Sequence, residues 1–167
     1  AGVGKTEDEI AYALRKRIYC FNLESEPELE RINRIAGQLE KKAPVAIRVN
    51  PNVDANTHKK ITTGTYDNKF GIAFEKIPRV YARAAKLKNI HLRGLQMHIG
   101  SQLTQVVPFD AAVRKVSPLA KKLKDKHGIE FLSIGGGLGI MYEDALASGD
   151  VKWWNRKAAK DILTPTK

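Results

Sequence analysis

Four short stretches of this chain hold the side chains and backbone that could do chemistry. His98 lies near the end of an apolar run at 90–99 and is followed by Gly100-Ser101, which brings a hydroxyl beside an imidazole. An imidazole at a strand end can stack on a flat ring or move protons; a lone histidine on a strand can equally be structural. His58, in a long polar segment, and His91, at the start of the run, suggest no chemistry. Gly135-Gly136-Gly137-Leu138-Gly139 follows a second apolar run at 131–134. Consecutive glycines permit positive φ, so that successive N–H groups can converge on a phosphate, although a tight turn uses them too. The spacing is not that of the dinucleotide fingerprint. Arg48 stands inside the apolar run 44–49. A guanidinium there is costly unless an anion meets it, which leaves an internal ion pair or an anionic ligand. Gly4-Lys5-Thr6 has the ending of a P-loop. The acidic run Glu7-Asp8-Glu9 would repel a phosphate, and no later strand ends in a magnesium-binding Asp, so a strand-to-helix turn is the better reading.

These groups need elements to position them. Thr6 to Glu9 and Ser25 to Glu28 are two capping boxes, each opening an amphipathic helix. Apolar residues at helical spacing mark further helices at 77–87 and 109–123, the second with Pro118 expected to kink it. Residues 153–162 read as one more helix. Short β-branched and apolar runs at 18–23, 44–49, 90–99 and 131–134 read as strands, and 50–68 as a long polar loop. Strand–helix alternation with continuous apolar strands predicts an α/β fold with a parallel sheet. Four such units make about half of an eight-unit barrel, and a doubly wound open sheet also fits. Both architectures bind ligands at the C-terminal ends of their strands, where Asn22, Glu24, Arg48, Asn50, His98, Ser101 and Gly135 to Gly137 fall.

Composition narrows the classes. Lys+Arg 29 against Asp+Glu 18 gives a formal net charge of +11, with 43% hydrophobic residues. That balance belongs to a globular protein, and the charge suits either a nucleic-acid binder or an enzyme for anionic ligands. The basic residues Arg79, Arg83, Lys86 and Lys88, and Lys121, Lys122, Lys124 and Lys126, fall on the polar faces of predicted helices. No aromatic residue shares those faces as a stacking platform would require, and no nucleic-acid-binding signature is present. Cys20 is the only cysteine, which excludes an internal disulfide. The histidines and Cys20 do not fall at zinc-site spacings, so no metal is expected. No apolar run reaches membrane-spanning length.

Several strings together carry a family resemblance. They are Ala1-Gly2-Val3-Gly4-Lys5-Thr6, Phe21-Asn22-Leu23-Glu24-Ser25, Ile47-Arg48-Val49-Asn50-Pro51-Asn52-Val53-Asp54-Ala55, Thr57-His58, Asn68-Lys69-Phe70-Gly71-Ile72, His98-Ile99-Gly100-Ser101-Gln102 and Gly135-Gly136-Gly137-Leu138-Gly139-Ile140. In order and spacing the chain resembles the diaminopimelate decarboxylase family of pyridoxal-phosphate enzymes, and related basic amino-acid decarboxylases match less well. The resemblance implies part of an alanine-racemase-like (β/α)8 barrel of the TIM type. Residues 1–167 would be its central portion, with early barrel strands and a C-terminal β domain lying outside. It implies that His98 stacks on the pyridoxal ring, that Ser101 lies close to it, that Gly135, Gly136 and Gly137 bind its phosphate, and that Arg48 sits beneath the ring. Lys69 would lie near the interface of a homodimer. Ser133 stands where the family often has Asp. No lysine here matches the Schiff-base motif, which would precede residue 1, and the Glu that pairs with the pyridine nitrogen would follow Lys167. The implied activity is decarboxylation of meso-diaminopimelate to L-lysine in the cytoplasm, with neither nucleic acid nor membrane as partner.

The 167-residue chain by itself is therefore expected to release no CO2 from meso-diaminopimelate; measurable turnover by the isolated chain would overturn that expectation.

Overall fold

A computed structural model describes residues 1–53, 70–103 and 105–139. Most of the long polar loop, Lys69 and the helix expected at 153–162 lie outside the described residues. The element order is α1 (Glu7–Arg15), β1 (Phe21–Leu23), α2 (Glu26–Gln38), β2 (Ala43–Asn50), β3 (Ile72–Ala73), α3 (Ile77–Ala84), β4 (Ile90–Met97), α4 (Val107–His127) and β5 (Phe131–Ser133). The strands are parallel and ordered β1-β2-β4-β5, with β3 paired to the far end of β2.

The helix starts follow local chemistry. Thr6 caps α1 by accepting from the Glu9 N–H, and the Glu9 carboxylate returns to the Thr6 N–H at 2.8 Å. Such a cap contributes about 1 kcal/mol. Ser25 caps α2, but Glu28 does not close the expected box; its carboxylate turns inward to the Glu24 N–H at 2.6 Å. Helix α4 runs through Pro118 without ending there and stops at Gly128, which adopts φ 69°.

β1 is shorter than the apolar run predicts. Ile18 and Tyr19 are exposed, and pairing with β2 begins only at Phe21, opposite Val45. The Tyr19 ring is used elsewhere: the Arg93 guanidinium lies 4.0 Å from its centre, and Phe131 is 5.5 Å away. β3 was not expected, because two residues leave no periodicity to read. Val49 pairs with Met97 of β4 on one edge and with Ile72 of β3 on the other, so β3 takes the edge of β2 that β1 vacates after Leu23.

Among the described residues the four α-helices cover a single face of the sheet. Ala43, Val45, Ile47 and Val49 of β2, and Leu95 and Met97 of β4, join Ile10, Leu14, Leu29, Ile32, Val80, Tyr81, Ala112 and Val116 in one apolar cluster. Side chains alternate along a strand, so the residues between them point the other way. On that second face the paired rows are Asn22, Ala46, Gly94 and Phe131, then Arg48, Gln96 and Ser133. A doubly wound sheet would have helices on both faces, whereas helices on one face only are the arrangement of a barrel wall. The first row fits by size: a Cβ on Gly94 would lie 2.5 Å from the Phe131 ring. Tyr81 ties the helix layer to the sheet by donating its hydroxyl to the Gly94 carbonyl at 2.6 Å.

Tyr81→Phe leaves that buried carbonyl without its donor and is expected to cost about 1–3 kcal/mol, read as a lower denaturant midpoint at unchanged slope.

Candidate functional site at the C-terminal ends of the strands

The rows of the second face become more polar toward the C-terminal ends of the strands. Arg48 on β2 is buried, and its Nη1 donates to both oxygens of Glu24 at 2.9 and 3.1 Å. The ion-pair alternative left open by the sequence is thus the one realised, with Glu24 just past β1 as the partner. The Arg48 Nη2 also reaches the His98 carbonyl at 3.4 Å. Phe70 lies 5.8 Å from the guanidinium carbon. Gly71, at φ 80°, passes so close to Arg48 that a Cβ would meet its Cγ and carbonyl at 3.2 Å.

His98 follows β4, half-buried beside this pair. Burial first, and then the nearby Arg48 charge, hold its imidazole below the ordinary histidine value, while Glu24 opposes them. The ring is therefore neutral near pH 7, suited to stacking on a flat group. Ser101 is exposed three residues later, beyond Gly100 at φ 152°.

The glycine loop after β5 is locked against this segment. Gly135 has φ 81°, and a Cβ there would lie 2.3 Å from the Met97 carbonyl. Gly137 has φ 96°, and a Cβ there would lie 1.9 Å from the Gly100 carbonyl and 3.4 Å from the His98 ring. Gly136 has nothing within 4 Å, so its side-chain position is open. The Leu103 N–H donates to the Gly137 carbonyl at 2.8 Å, and the Gly139 N–H to the Leu103 carbonyl at 2.9 Å. Ser133 accepts the Gly135 N–H at 3.3 Å. The loop thus packs Gly137 against the edge of the His98 ring, with the open Gly136 beside it; a glycine-rich backbone of this kind can cradle an anion.

Of the residues singled out from sequence, the structure brings together Arg48, His98 and Gly135 to Gly137, with Ser101 at their margin; Lys69 lies outside the described residues. Sequence reasoning missed the pairing of Glu24 and also Gln96. The Gln96 Nε2 donates to the Met97 carbonyl at 2.7 Å, and its buried Oε1 has no partner among the described residues. Its place inside an apolar strand, two residues before His98, was the available signal. Lys5 is no P-loop lysine: its ammonium is held by the Gly2 carbonyl at 2.6 Å, the Asn22 carbonyl at 2.8 Å and Glu28 at 2.5 Å. Arg79 and Arg83 pair with Glu26, and Arg83 also with Glu30, so the α3 basic run is substantially matched. Among the described residues no His, Cys, Asp and Glu group could hold a metal ion, and no helix is long and apolar enough to cross a membrane.

A one-sided parallel sheet, ending in a half-buried imidazole beside a closely packed glycine loop, defines a segment of a (β/α) barrel wall. The chain belongs to the pyridoxal-dependent decarboxylase family: the family model for its pyridoxal binding domain matches residues 1–163. Among curated relatives, the diaminopimelate decarboxylase of Vibrio cholerae is 50% identical over 147 residues, covering 87% of this chain and 35% of the relative. That of Pseudomonas aeruginosa is 51% identical over 145 residues, covering 86% and 35%. The chain therefore spans about a third of the length of these relatives. The crystal structure of Helicobacter pylori diaminopimelate decarboxylase complexed with L-lysine superposes with TM-score 0.81 at 40% identity, over 86% of this chain and 36% of that one. A Clostridium difficile alanine racemase, at 17% identity and TM-score 0.54 over 78% of this chain and 32% of that one, shares the fold.

The last two glycines of the triplet predict contrasting variants. Gly137→Ala forces both a left-handed backbone and a clash and is expected to cost about 1–3 kcal/mol in denaturant unfolding, whereas Gly136→Ala stays within about 0.5 kcal/mol.

Proposed function

We propose that this chain forms the cofactor-binding wall of a pyridoxal-phosphate-dependent decarboxylase that converts meso-diaminopimelate to L-lysine and CO2. The observation that carries the reading is the lock between Gly137 and the turn after His98, where any side chain at 137 would strike the Gly100 carbonyl. It sets amide groups for a phosphate beside a ring that can stack on a pyridine. Residues 1–167 would be the central portion of the barrel domain, with the Schiff-base lysine outside them. The similarity to diaminopimelate decarboxylases at about half identity supports the substrate assignment.

Each residue then has a separable task. Gly136 and Gly137 offer their N–H groups to the phosphate, Gly135, whose own N–H goes to the Ser133 hydroxyl, shapes the loop around it, and Ser101 adds a hydroxyl at its margin. His98 supports one face of the ring and, being neutral, adds no charge to it. Arg48, held by Glu24, forms the floor beneath the ring. When bound, the cofactor would supply an electron sink for the pair left on the substrate carbon as CO2 departs. Lys69 is assigned to the interface of a homodimer, and the enzyme to the cytoplasm.

A chimera tests this reading. Residues 1–167 replace the matching segment of the Vibrio cholerae enzyme, and bound pyridoxal phosphate and CO2 release are measured. The expected chimera takes up the cofactor and decarboxylates meso-diaminopimelate, and His98→Ala in it weakens cofactor binding by about tenfold or more, the loss of a stacking face. A folded chimera that binds no pyridoxal phosphate would sink the proposal.

A further inference from the structure

The Lys5 ammonium and the Glu28 carboxylate find no task in the cofactor site, yet both are buried and bound in detail. Lys5 has three oxygen acceptors, from Gly2, Asn22 and Glu28. Glu28 divides its two oxygens: Oε1 takes Lys5 at 2.5 Å, and Oε2 takes the Glu24 backbone N–H at 2.6 Å. The Glu24 carboxylate grips the Arg48 Nη1, and the Arg48 Nη2 reaches the His98 carbonyl. The connections form one continuous chain, from the turn before α1, through the first turn of α2 and the end of β1, to β2 and β4. Its four charges balance, Lys5 and Arg48 against Glu28 and Glu24. The side-chain exposures are 11%, 11%, 8% and 6% respectively, so none of the four is free to be screened by water. A buried pair of this kind is weak evidence for stability, because desolvation offsets much of the attraction. Its other effect is to fix geometry. The inward turn of Glu28 is costly to its own helix, since it forgoes the capping box that Ser25 sets up.

We propose that Lys5 and Glu28 are positioning residues for the cofactor site, acting through the Glu24 backbone to fix the carboxylate that holds Arg48 beneath His98. The inference rests on the decarboxylase reading for its affinity arm only. The N–H of Glu24 is pinned at the point where β1 ends, so the direction in which its side chain leaves the strand is set by Glu28. Glu28 is in turn held by an ammonium whose remaining bonds go to the Asn22 and Gly2 carbonyls. Displacing either residue lets the Glu24 carboxylate swing, and Arg48 loses its two-oxygen grip.

His98 reports this without any cofactor. Among the described residues the charges that act on it are Arg48 from β2 and Glu24 from the end of β1, while the loop after β5 brings the uncharged Gly135 and Gly137. A shift in its midpoint on changing Lys5 or Glu28 therefore reads movement of the Glu24–Arg48 pair, with Glu24→Gln as the reference.

The test uses the Vibrio cholerae chimera with Lys5→Met, Glu28→Gln, Glu24→Gln and the double variant Lys5→Met/Glu28→Leu. Measured are the His98 titration midpoint by NMR in the cofactor-free protein, pyridoxal phosphate affinity and melting temperature. Glu24→Gln removes the charge that raises the His98 midpoint and is expected to lower it. Lys5→Met and Glu28→Gln are expected to lower it in the same direction and to weaken cofactor binding about tenfold, as supporting residues around a site do. The double variant removes both charges together and is expected to regain melting temperature but neither the midpoint nor the affinity. Variants that melt earlier while His98 and cofactor affinity stay at their wild-type values would overturn the inference, as would a double variant that restores both. If the unmodified chimera takes up no pyridoxal phosphate, the decarboxylase reading falls, and the positioning role is still judged on the His98 midpoint.

Discussion

A guanidinium on an otherwise apolar sheet has to be answered by a carboxylate, and much of this structure follows from where that answer comes from. Arg48 lies near the C-terminal end of β2, and its partner Glu24 arrives from just past the neighbouring strand. For Glu24 to reach it, β1 stops at Leu23, and β3 fills the vacated edge of β2. Gly71 approaches closely enough to wrap the Arg48 side chain. The same pair contributes opposing influences on His98, whose ring stays neutral because burial and Arg48 outweigh Glu24. Short strand, extra strand, glycine and imidazole are thus consequences of one buried charge.

The two ends of the sheet are built differently. At the N-terminal end, Arg93 stacks on Tyr19, pairs with Glu130 and donates to the Tyr19 carbonyl at 3.1 Å. That end is tied by a guanidinium that bridges an aromatic ring, a carboxylate and a carbonyl. At the C-terminal end the polar groups include backbone amides of a glycine loop and the Gln96 Oε1, which has no partner among the described residues. In a barrel the first kind of end serves stability and the second serves ligands. The division is visible here within a few strands, because period-two alternation sends every apolar helix contact to the opposite face.

Local rules made much of this legible. The Thr6–Glu9 box, the amphipathic helix around 109–123 and the parallel sheet of strands separated by helices could be read from spacing, since each depends on residues close in sequence. The glycine loop was legible because positive φ leaves a compositional mark. What escaped depends on distant partners. Nothing near Glu24 says that it meets Arg48, twenty-four residues on. Nothing near Glu28 says that it will abandon its capping role for Lys5, twenty-three residues back. β3 exists only as a pairing with β2, and Ile18 and Tyr19 were drawn into the strand by their types, although the Tyr19 ring belongs to Arg93.

Gly94 and Phe131 carry a consequence of another kind. The ring from β5 occupies the space that a side chain on β4 would need, at 2.5 Å from a hypothetical Cβ. Volume on the inner face is therefore shared between two strands rather than owned by either. The two sites form a single unit: a larger residue at 94 is compatible with this wall when the ring at 131 turns aside or gives way to a smaller side chain, so a change at either position is felt at the other.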